Sequence, residues 1–165
     1  MKRTLIDGVN FYFSDAGVLY RVMNENETPK DILIPRFISG VGTVNGIANN
    51  VFSGSFSRVV INDQIQNISY EAFLDADVDE VFWPNSCHVI PYGCFRGSSI
   101  KHFVNVDPIE EIEELAFADT PNLNKIDLSG FFIYSVGRGA FLGKSAQNVR
   151  LPYYVSDEAV QRAFI

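Results

Sequence analysis

One hydrophobic pattern repeats along most of the chain, and its most regular member is a phenylalanine. The phenylalanines recur every 21 to 24 residues, at Phe52, Phe73, Phe95, Phe117, Phe141 and Phe164. A fixed period of this length is typical of solenoid proteins, in which each repeat forms one coil. One such coil cannot enclose a core by itself, so its apolar side must be covered by neighbouring coils. We therefore expect each phenylalanine ring to pack against the ring of the next coil.

The positions around each phenylalanine repeat as well. The residue before it is small or compact: Val51, Ala72, Cys94, Ala116, Ala140 and Ala163. Aliphatic side chains precede most copies by five and eight residues, as Ile68 and Ile65 precede Phe73. A short β-like run lies about twelve residues before the ring and often ends in proline, as 81–84 does. We expect these runs to pair as strands about 4.8 Å apart, and the prolines to end them.

These units resemble the BspA-type leucine-rich repeat, whose pattern is a strand followed by Ile-Pro and then Val-x-x-Ile-x-x-x-Ala-Phe. The best matches are 65–73 and 109–117, and the resemblance covers roughly 32–165. It implies a β-rich, right-handed solenoid with short parallel strands on one face. It also implies protein–protein recognition, commonly at microbial surfaces, with no catalytic residue and no cofactor. Two coils depart from the pattern: Asn105 takes a position that Trp83 and Leu128 occupy elsewhere, and the first repeat has an insertion around 37–42.

The ends of the chain differ from the repeats, so we divide the sequence into a cap (1–31) and about six repeats (32–165). In the cap, 9–13 and 18–22 alternate around Ser-Asp-Ala-Gly, which predicts a β-hairpin. The hairpin either covers the first coil or is itself a binding element. At the other end, 156–165 predicts a short helix with Ser156 as its N-cap. This helix either covers the last coil or pairs with a second copy in a homodimer.

Composition narrows the classes of function. The net charge of −7 across 165 residues provides no excess of cations for phosphate, which argues against direct nucleic-acid binding. The start of the chain has basic residues but no apolar stretch after them, and no apolar run is long enough to span a membrane. We therefore expect a cytoplasmic protein. Cys87 and Cys94 fall on repeat positions and are interpreted as core residues, because their spacing with the two histidines matches no zinc signature.

The strand residues between core positions should point outward and offer a binding surface. Aligning the strands gives one row of Leu33, Val60, Phe82, Val104, Asp127 and Arg150, and a second of Asp31, Arg58, Glu80, His102, Lys125 and Asn148. The first row is apolar over four coils, as an interaction site would be. The alternative is that such residues simply favour strands. Phe82 is the predicted anchor.

Acidic residues cluster in two neighbouring coils and are expected to form one negative flank. The candidates are Asp75, Asp77, Asp79, Asp107, Glu110, Glu111, Glu113 and Glu114. The flank is either a solvated face or a surface that mimics nucleic-acid phosphates. The leading hypothesis is therefore a non-enzymatic module that binds a protein through its strand face. The alternative is a small acidic intracellular inhibitor, of phage or mobile-element origin, that blocks a nucleic-acid-handling complex. No catalytic motif and no metal site is predicted.

Overall fold

The repeats form successive coils of a β-solenoid of about five turns in the computed structural model, which describes residues 1–144 and 146–165. The strands of the N-terminal part are β1 (Lys2–Ile6), β2 (Val9–Phe13), β3 (Val18–Met23), β4 (Lys30–Leu33), β5 (Phe37–Ile38), β6 (Gly42–Thr43), β7 (Gly46–Ile47) and β8 (Phe52–Ser53). Those of the later coils are β9 (Ser55–Val60), β10 (Asn67–Ile68), β11 (Asp77–Phe82), β12 (Val89–Ile90), β13 (His102–Val104), β14 (Glu111–Ile112), β15 (Ile126–Asp127), β16 (Ser135–Val136) and β17 (Val149–Arg150). A 3-10 helix (Ala146–Asn148) precedes β17, and the helix α1 (Asp157–Ala163) ends the fold.

The predicted phenylalanine column runs through the core. Successive ring centroids from Phe52 to Phe164 lie 4.2, 4.9, 5.1, 5.7 and 5.7 Å apart. The rings of Phe95 and Phe117 are almost parallel, with planes 4° apart. Phe73, Phe95, Phe117 and Phe141 are fully buried. The stacking of equivalent rings in successive coils is therefore confirmed.

The residue before each phenylalanine is small because its backbone belongs to a second column, which is formed by hydrogen bonds between successive coils. The amide of Phe73 donates to the carbonyl of Cys94 at 2.8 Å, and that of Phe95 donates to Ala116 at 2.8 Å. The amide of Phe117 continues the series to Ala140 at 2.7 Å. Each small residue is thus enclosed between two coils and fully buried. Burial also raises the pKa of the Cys94 thiol, as expected for a core cysteine.

The turn around each ring includes residues in the left-handed backbone region. At the position two residues after the ring, aspartate and glycine alternate from one coil to the next. Asp75 and Asp119 have φ near +50°, and the equivalent positions of the next coils are Gly97 and Gly143. A Cβ added to Gly97 would lie 2.1 Å from Oδ1 of Asp75. The aspartate of one coil therefore covers the backbone of the next, and only glycine leaves room for it.

Two parallel sheets flank the phenylalanine column. The main sheet has the order β13-β11-β9-β4, and the second sheet has the order β12-β14-β16. The main sheet ends after β13, and β15 pairs with β17 in a separate two-stranded sheet. The break falls at the coil of Asn105, whose side-chain amide donates to the carbonyl of Asp107 at 2.9 Å. The polar side chain is satisfied locally, while Trp83 and Leu128 at the equivalent positions are buried.

The N-terminal part is more elaborate than a single hairpin. β2 and β3 form the predicted antiparallel pair, but β1 adds a third strand to it. β3 then pairs in parallel with β7 and β8, so that the hairpin is joined to the first coil through one continuous sheet. The insertion expected around 37–42 forms a small antiparallel pair of its own, β5 with β6.

The predicted C-terminal helix is present and covers the last coil. The Ser156 hydroxyl accepts from the amide of Ala159 at 3.2 Å, as an N-cap does. At its other end, the carbonyl of Ala163 accepts from the amide of Phe141 at 2.7 Å. The ring of Phe164 packs against that of Phe141 with a tilt of 31°, and Ile165 is 64% exposed. The helix thus continues the column inside one chain. Among the described residues, no helix has the length and apolar character that crossing a membrane requires.

Removing one ring from the column should destabilise the protein strongly. Phe95→Ala leaves a cavity between two stacked rings, so we expect the free energy of unfolding in urea to fall by about 3–5 kcal/mol. Phe132→Ala is the matched control because that ring is 71% exposed. Its effect should stay within about 0.5 kcal/mol. Similar losses for the two variants would contradict the role of the column.

The alternation of aspartate with glycine should appear as energetic coupling between coils. Gly97→Ala should lower the free energy of unfolding by more than about 0.5 kcal/mol, because the backbone is left-handed and the Asp75 carboxylate occupies the space. The loss should be smaller in an Asp75→Ala background, where only the backbone strain remains. Gly130→Ala meets no atom within 4 Å and serves as the control. Additive effects of the Asp75 and Gly97 substitutions would show that the two coils do not contact as described.

Candidate interaction surface

The main sheet aligns the first four residues of each predicted outward row. In the first row, Leu33 pairs with Val60, Val60 with Phe82 and Phe82 with Val104. In the second row, Asp31 pairs with Arg58, Arg58 with Glu80 and Glu80 with His102. Asp127 and Arg150 pair with each other in the separate sheet β15–β17, and Lys125 and Asn148 are exposed just before them. The break at Asn105 therefore divides each predicted row in two.

Most of the apolar row is only partly exposed to solvent. Leu33, at the edge of the sheet, is 60% exposed, whereas Val60, Phe82 and Val104 are half-buried. The guanidinium carbon of Arg58 lies over the ring of Phe82, 5.5 Å from its centroid. This is the geometry of a cation–π contact. The predicted anchor is thus covered in part by the long side chain of the neighbouring strand.

The charged row is a ladder of ion pairs between equivalent positions of successive coils. Arg58 lies 2.9 Å from Glu80 and 4.0 Å from Asp31, so it bridges three strands. The hydrogen bond that Arg58 donates to the Glu80 carboxylate raises the pKa of Arg58. Exposed ion pairs of this kind contribute little to stability. Their effect here is to hold the Arg58 guanidinium over the ring of Phe82.

The separate sheet β15–β17 has one ion pair of the same kind between its two strands. Arg150 lies 3.5 Å from Asp127 across the two strands. Hydrogen bonds from the hydroxyl and the amide of Ser129 lower the pKa of Asp127, and Arg150 adds to the effect. Asp127 is therefore held as an anion by its own turn as well as by its partner.

The acidic residues of the predicted flank lie on different sheets. Asp77 and Asp79 belong to the main sheet, and Asp75 lies in the turn that precedes it. Asp79 is ion-paired with Lys101 at 2.7 Å, and Asp77 accepts from the hydroxyls of Ser55 and Ser99. Glu110, Glu111, Glu113 and Glu114 lie in or beside the second sheet, and Asp107 lies in the segment between β13 and β14. The two clusters are thus not neighbours on one sheet, because each coil folds back between them.

An exposed aromatic cluster near the C-terminal end was not expected from the sequence. Its members are Phe132, Tyr134, Tyr153 and Tyr154, with exposed fractions of 71%, 63%, 98% and 43%. Phe132 lies 5.5 Å from Tyr154, and Tyr153 lies 5.6 Å from Tyr154. None of these residues falls on a core position of the repeat, so the period gives no reason to single them out. The available signal was their density: four aromatic residues outside the repeat columns within two coils.

Three of these rings border a groove, which we call the aromatic groove and define by Phe132, Tyr134 and Tyr154. It has a volume of about 340 Å³, and Ile133, Val136 and Ala159 contribute to its lining. The hydroxyl of Tyr134 donates to Glu111 at 3.1 Å, which raises the pKa of Tyr134. The hydroxyl of Tyr154 accepts from the amide of Ile133 and donates to the carbonyl of Phe131, both at 2.7 Å. Two of the three rings are thus fixed by hydrogen bonds.

A larger, shallow depression of about 590 Å³ lies on the same side of the coils, around β12. Its lining includes Tyr70, His88, Glu110 and Glu113. One ring nitrogen of His88 lies 3.0 Å from the carbonyl of Pro108, and the Glu113 carboxylate accepts from the amide of Tyr92 at 2.6 Å. Both side chains are therefore engaged with the backbone of a neighbouring coil. In the part of the chain that the structure describes, no three His, Cys, Asp or Glu residues gather as metal ligands would.

Comparisons with known proteins agree with this architecture. The crystal structure of the pneumococcal vaccine antigen PcpA is similar in fold, with a TM-score of 0.54 and 17% sequence identity. The match covers 84% of this chain and 47% of PcpA, so the chain spans about half the length of that protein. No curated protein matches the sequence. The family model for the BspA-type leucine-rich repeat region matches six copies over residues 36–148. The chain therefore belongs to the BspA-type leucine-rich repeat family.

Proposed function

We propose that this protein is a non-enzymatic recognition module that binds a partner protein through the main sheet. Leucine-rich repeats of this family commonly mediate protein interactions, which supports the general class. The observation that supports the main sheet is the register of β4, β9, β11 and β13, which places an apolar row beside a charged row. Such a surface supplies apolar contact and charge-based specificity side by side.

The pairing of Arg58 with Phe82 favours recognition at the centre of this sheet. Arginine and aromatic side chains are enriched among the residues that contribute most to protein interfaces. Arg58 is already held by Glu80 and Asp31, so little side-chain freedom would be lost when a partner covers it. Leu33 extends the apolar row to the exposed edge of the sheet. These features together form a preorganised patch rather than a flexible one.

The hypothesis of an acidic inhibitor has less support than recognition through the main sheet. Its acids near β11 are largely engaged: Asp79 is paired with Lys101, and Asp77 with two hydroxyl groups. A surface that mimics phosphates needs carboxylates that are free to meet a basic groove. A cytoplasmic location is part of the proposal. Antibody labelling of intact and permeabilised cells of the native host tests that location.

Substitutions on the main sheet should weaken partner capture without unfolding the protein. With the wild type as bait in lysates of the native host, we expect Phe82→Ala and Leu33→Ser each to reduce the retained partner at least tenfold, which corresponds to about 1.4 kcal/mol. Leu5→Ser is the matched control, because Leu5 is 63% exposed but lies in β1. The retained proteins are quantified by mass spectrometry, and thermal melting checks the fold of each variant.

Two outcomes would contradict the proposal. Equal retention by wild type, Phe82→Ala and Leu33→Ser would exclude the main sheet as the binding surface. Capture that collapses when the salt concentration is raised would favour acidic mimicry, because screening weakens contacts between exposed charges far more than apolar ones.

A further inference from the structure

The aromatic groove and the acids beside it form a surface that the main sheet does not explain. Burial of the two most exposed rings of the groove, Phe132 and Tyr134, would bring no benefit inside the coil, because the core is already filled by the phenylalanine column. The rings that border the groove are also not loose. Tyr134 is held by Glu111 and Tyr154 by the backbone of Phe131 and Ile133. Exposed aromatic rings with fixed positions are typical of binding surfaces.

The second sheet places carboxylates next to this groove. The amide of Tyr134 donates to the carbonyl of Glu110 at 2.9 Å, and the amide of Glu110 donates to His88 at 2.8 Å, so these three residues form one row across the coils. Glu111 pairs with Ser135 in the adjacent register. The groove and the depression that Glu110, Glu113 and Tyr70 line therefore lie on the same side of the coils, joined through the backbone of Tyr134 and Glu110.

Among the described residues, the acids of the second cluster take part in none of the ion pairs. No lysine or arginine occurs between His102 and Asn124, the stretch that contains all five acids of the second cluster. The ion pairs that the structure gives for the described residues use other acids: Asp15, Asp31, Glu71, Asp79, Glu80 and Asp127. Arg138 follows the second sheet at the next turn, where its carbonyl accepts from the amide of Leu115. Aromatic faces beside carboxylates that form no ion pair attract cations in two ways, through the ring quadrupole and through direct charge.

We propose that the aromatic groove is a second binding surface, which takes an arginine- or lysine-rich segment of a partner protein. A guanidinium or ammonium group enters between Phe132, Tyr134 and Tyr154, and neighbouring basic side chains meet Glu110 and Glu111. The net charge of −7 attracts such a segment over longer distances, and the groove then selects it by contact. A second copy of this chain fits less well, because it would bring the same negative charge. The proposal does not depend on the main sheet.

The test uses fluorescence anisotropy with a labelled nine-residue peptide that contains five arginines among glycines and serines. The comparison peptide carries citrulline in place of each arginine, which keeps the shape and removes the charge. We expect the wild-type protein to bind the arginine peptide at least tenfold more tightly than the citrulline peptide. The combined variant Phe132→Ala/Tyr134→Ala, which leaves every charge in place, should weaken arginine-peptide binding at least fivefold.

Matched controls separate contact at the groove from general attraction. Glu110→Gln/Glu111→Gln should weaken arginine-peptide binding at least fivefold, whereas Glu25→Gln/Glu27→Gln, which removes the same charge from an exposed loop, should change it less than twofold. Phe37→Ala, which removes a ring that is 67% exposed on β5, should also have little effect. Circular dichroism checks the fold of each variant, and the single substitution Phe132→Ala replaces the combined variant if that variant unfolds.

Four results would overturn the proposal. Equal weakening by the two pairs of glutamate substitutions would reduce the effect to general attraction by an acidic protein. Unchanged binding by the ring variants would show that the groove takes no part. Equal binding of the citrulline peptide would indicate a neutral ligand. A wild-type dimer in light scattering that Phe132→Ala converts to a monomer would assign the groove to a second copy of the chain.

Discussion

The structure depends on the stacking of one phenylalanine per coil together with the hydrogen bond beside each ring. The ring of Phe95 packs between those of Phe73 and Phe117, while its amide donates to the carbonyl of Ala116 in the next coil. The two contacts constrain each other. The ring fixes the rotation of one coil on the next, and the hydrogen bond fixes the rise, so that successive coils can neither slide nor tilt far.

This constraint determines what the neighbouring positions can hold. The residue before the ring lies between two backbones and is therefore alanine in most coils, with Cys94 as the one thiol on that column. Two residues after the ring, the chain must take a left-handed turn, and Asp75 covers the backbone at Gly97. At this position the sequence therefore repeats every two coils, because an aspartate in one coil leaves room only for glycine in the next.

Core features could be predicted from the sequence because they recur. The ring column, the small residue before it and the aligned strands each appear several times, and each copy supports the others. The hairpin of β2 and β3 and the cap of α1 were also predictable, since local turn and capping residues mark them. β1 was not expected, because its pairing with β2 depends on a sheet that no short pattern reveals.

The surface was harder to predict, for a physical reason. A period identifies which residues face the core, but it does not say which side chain of the next coil covers an outward residue. Phe82 is half-buried because Arg58 extends over it from the neighbouring strand. Likewise, the acids of the predicted flank lie in neighbouring coils, yet the chain folds between them and places them on two sheets.

The same geometry explains why one short chain can present two chemically different surfaces. On the main sheet, charges of both signs alternate across strands, as Asp31, Arg58 and Glu80 do, and largely neutralise one another. On the second sheet, Glu110 and Glu111 lie in a stretch without lysine or arginine, and the hydroxyl of Tyr134 donates to Glu111. Because the phenylalanine column packs the core between the two sheets, we expect substitutions of outward-facing side chains on either sheet to leave the packing of the coils intact. The outward side chains of each proposed surface can therefore vary without cost to the core that positions them.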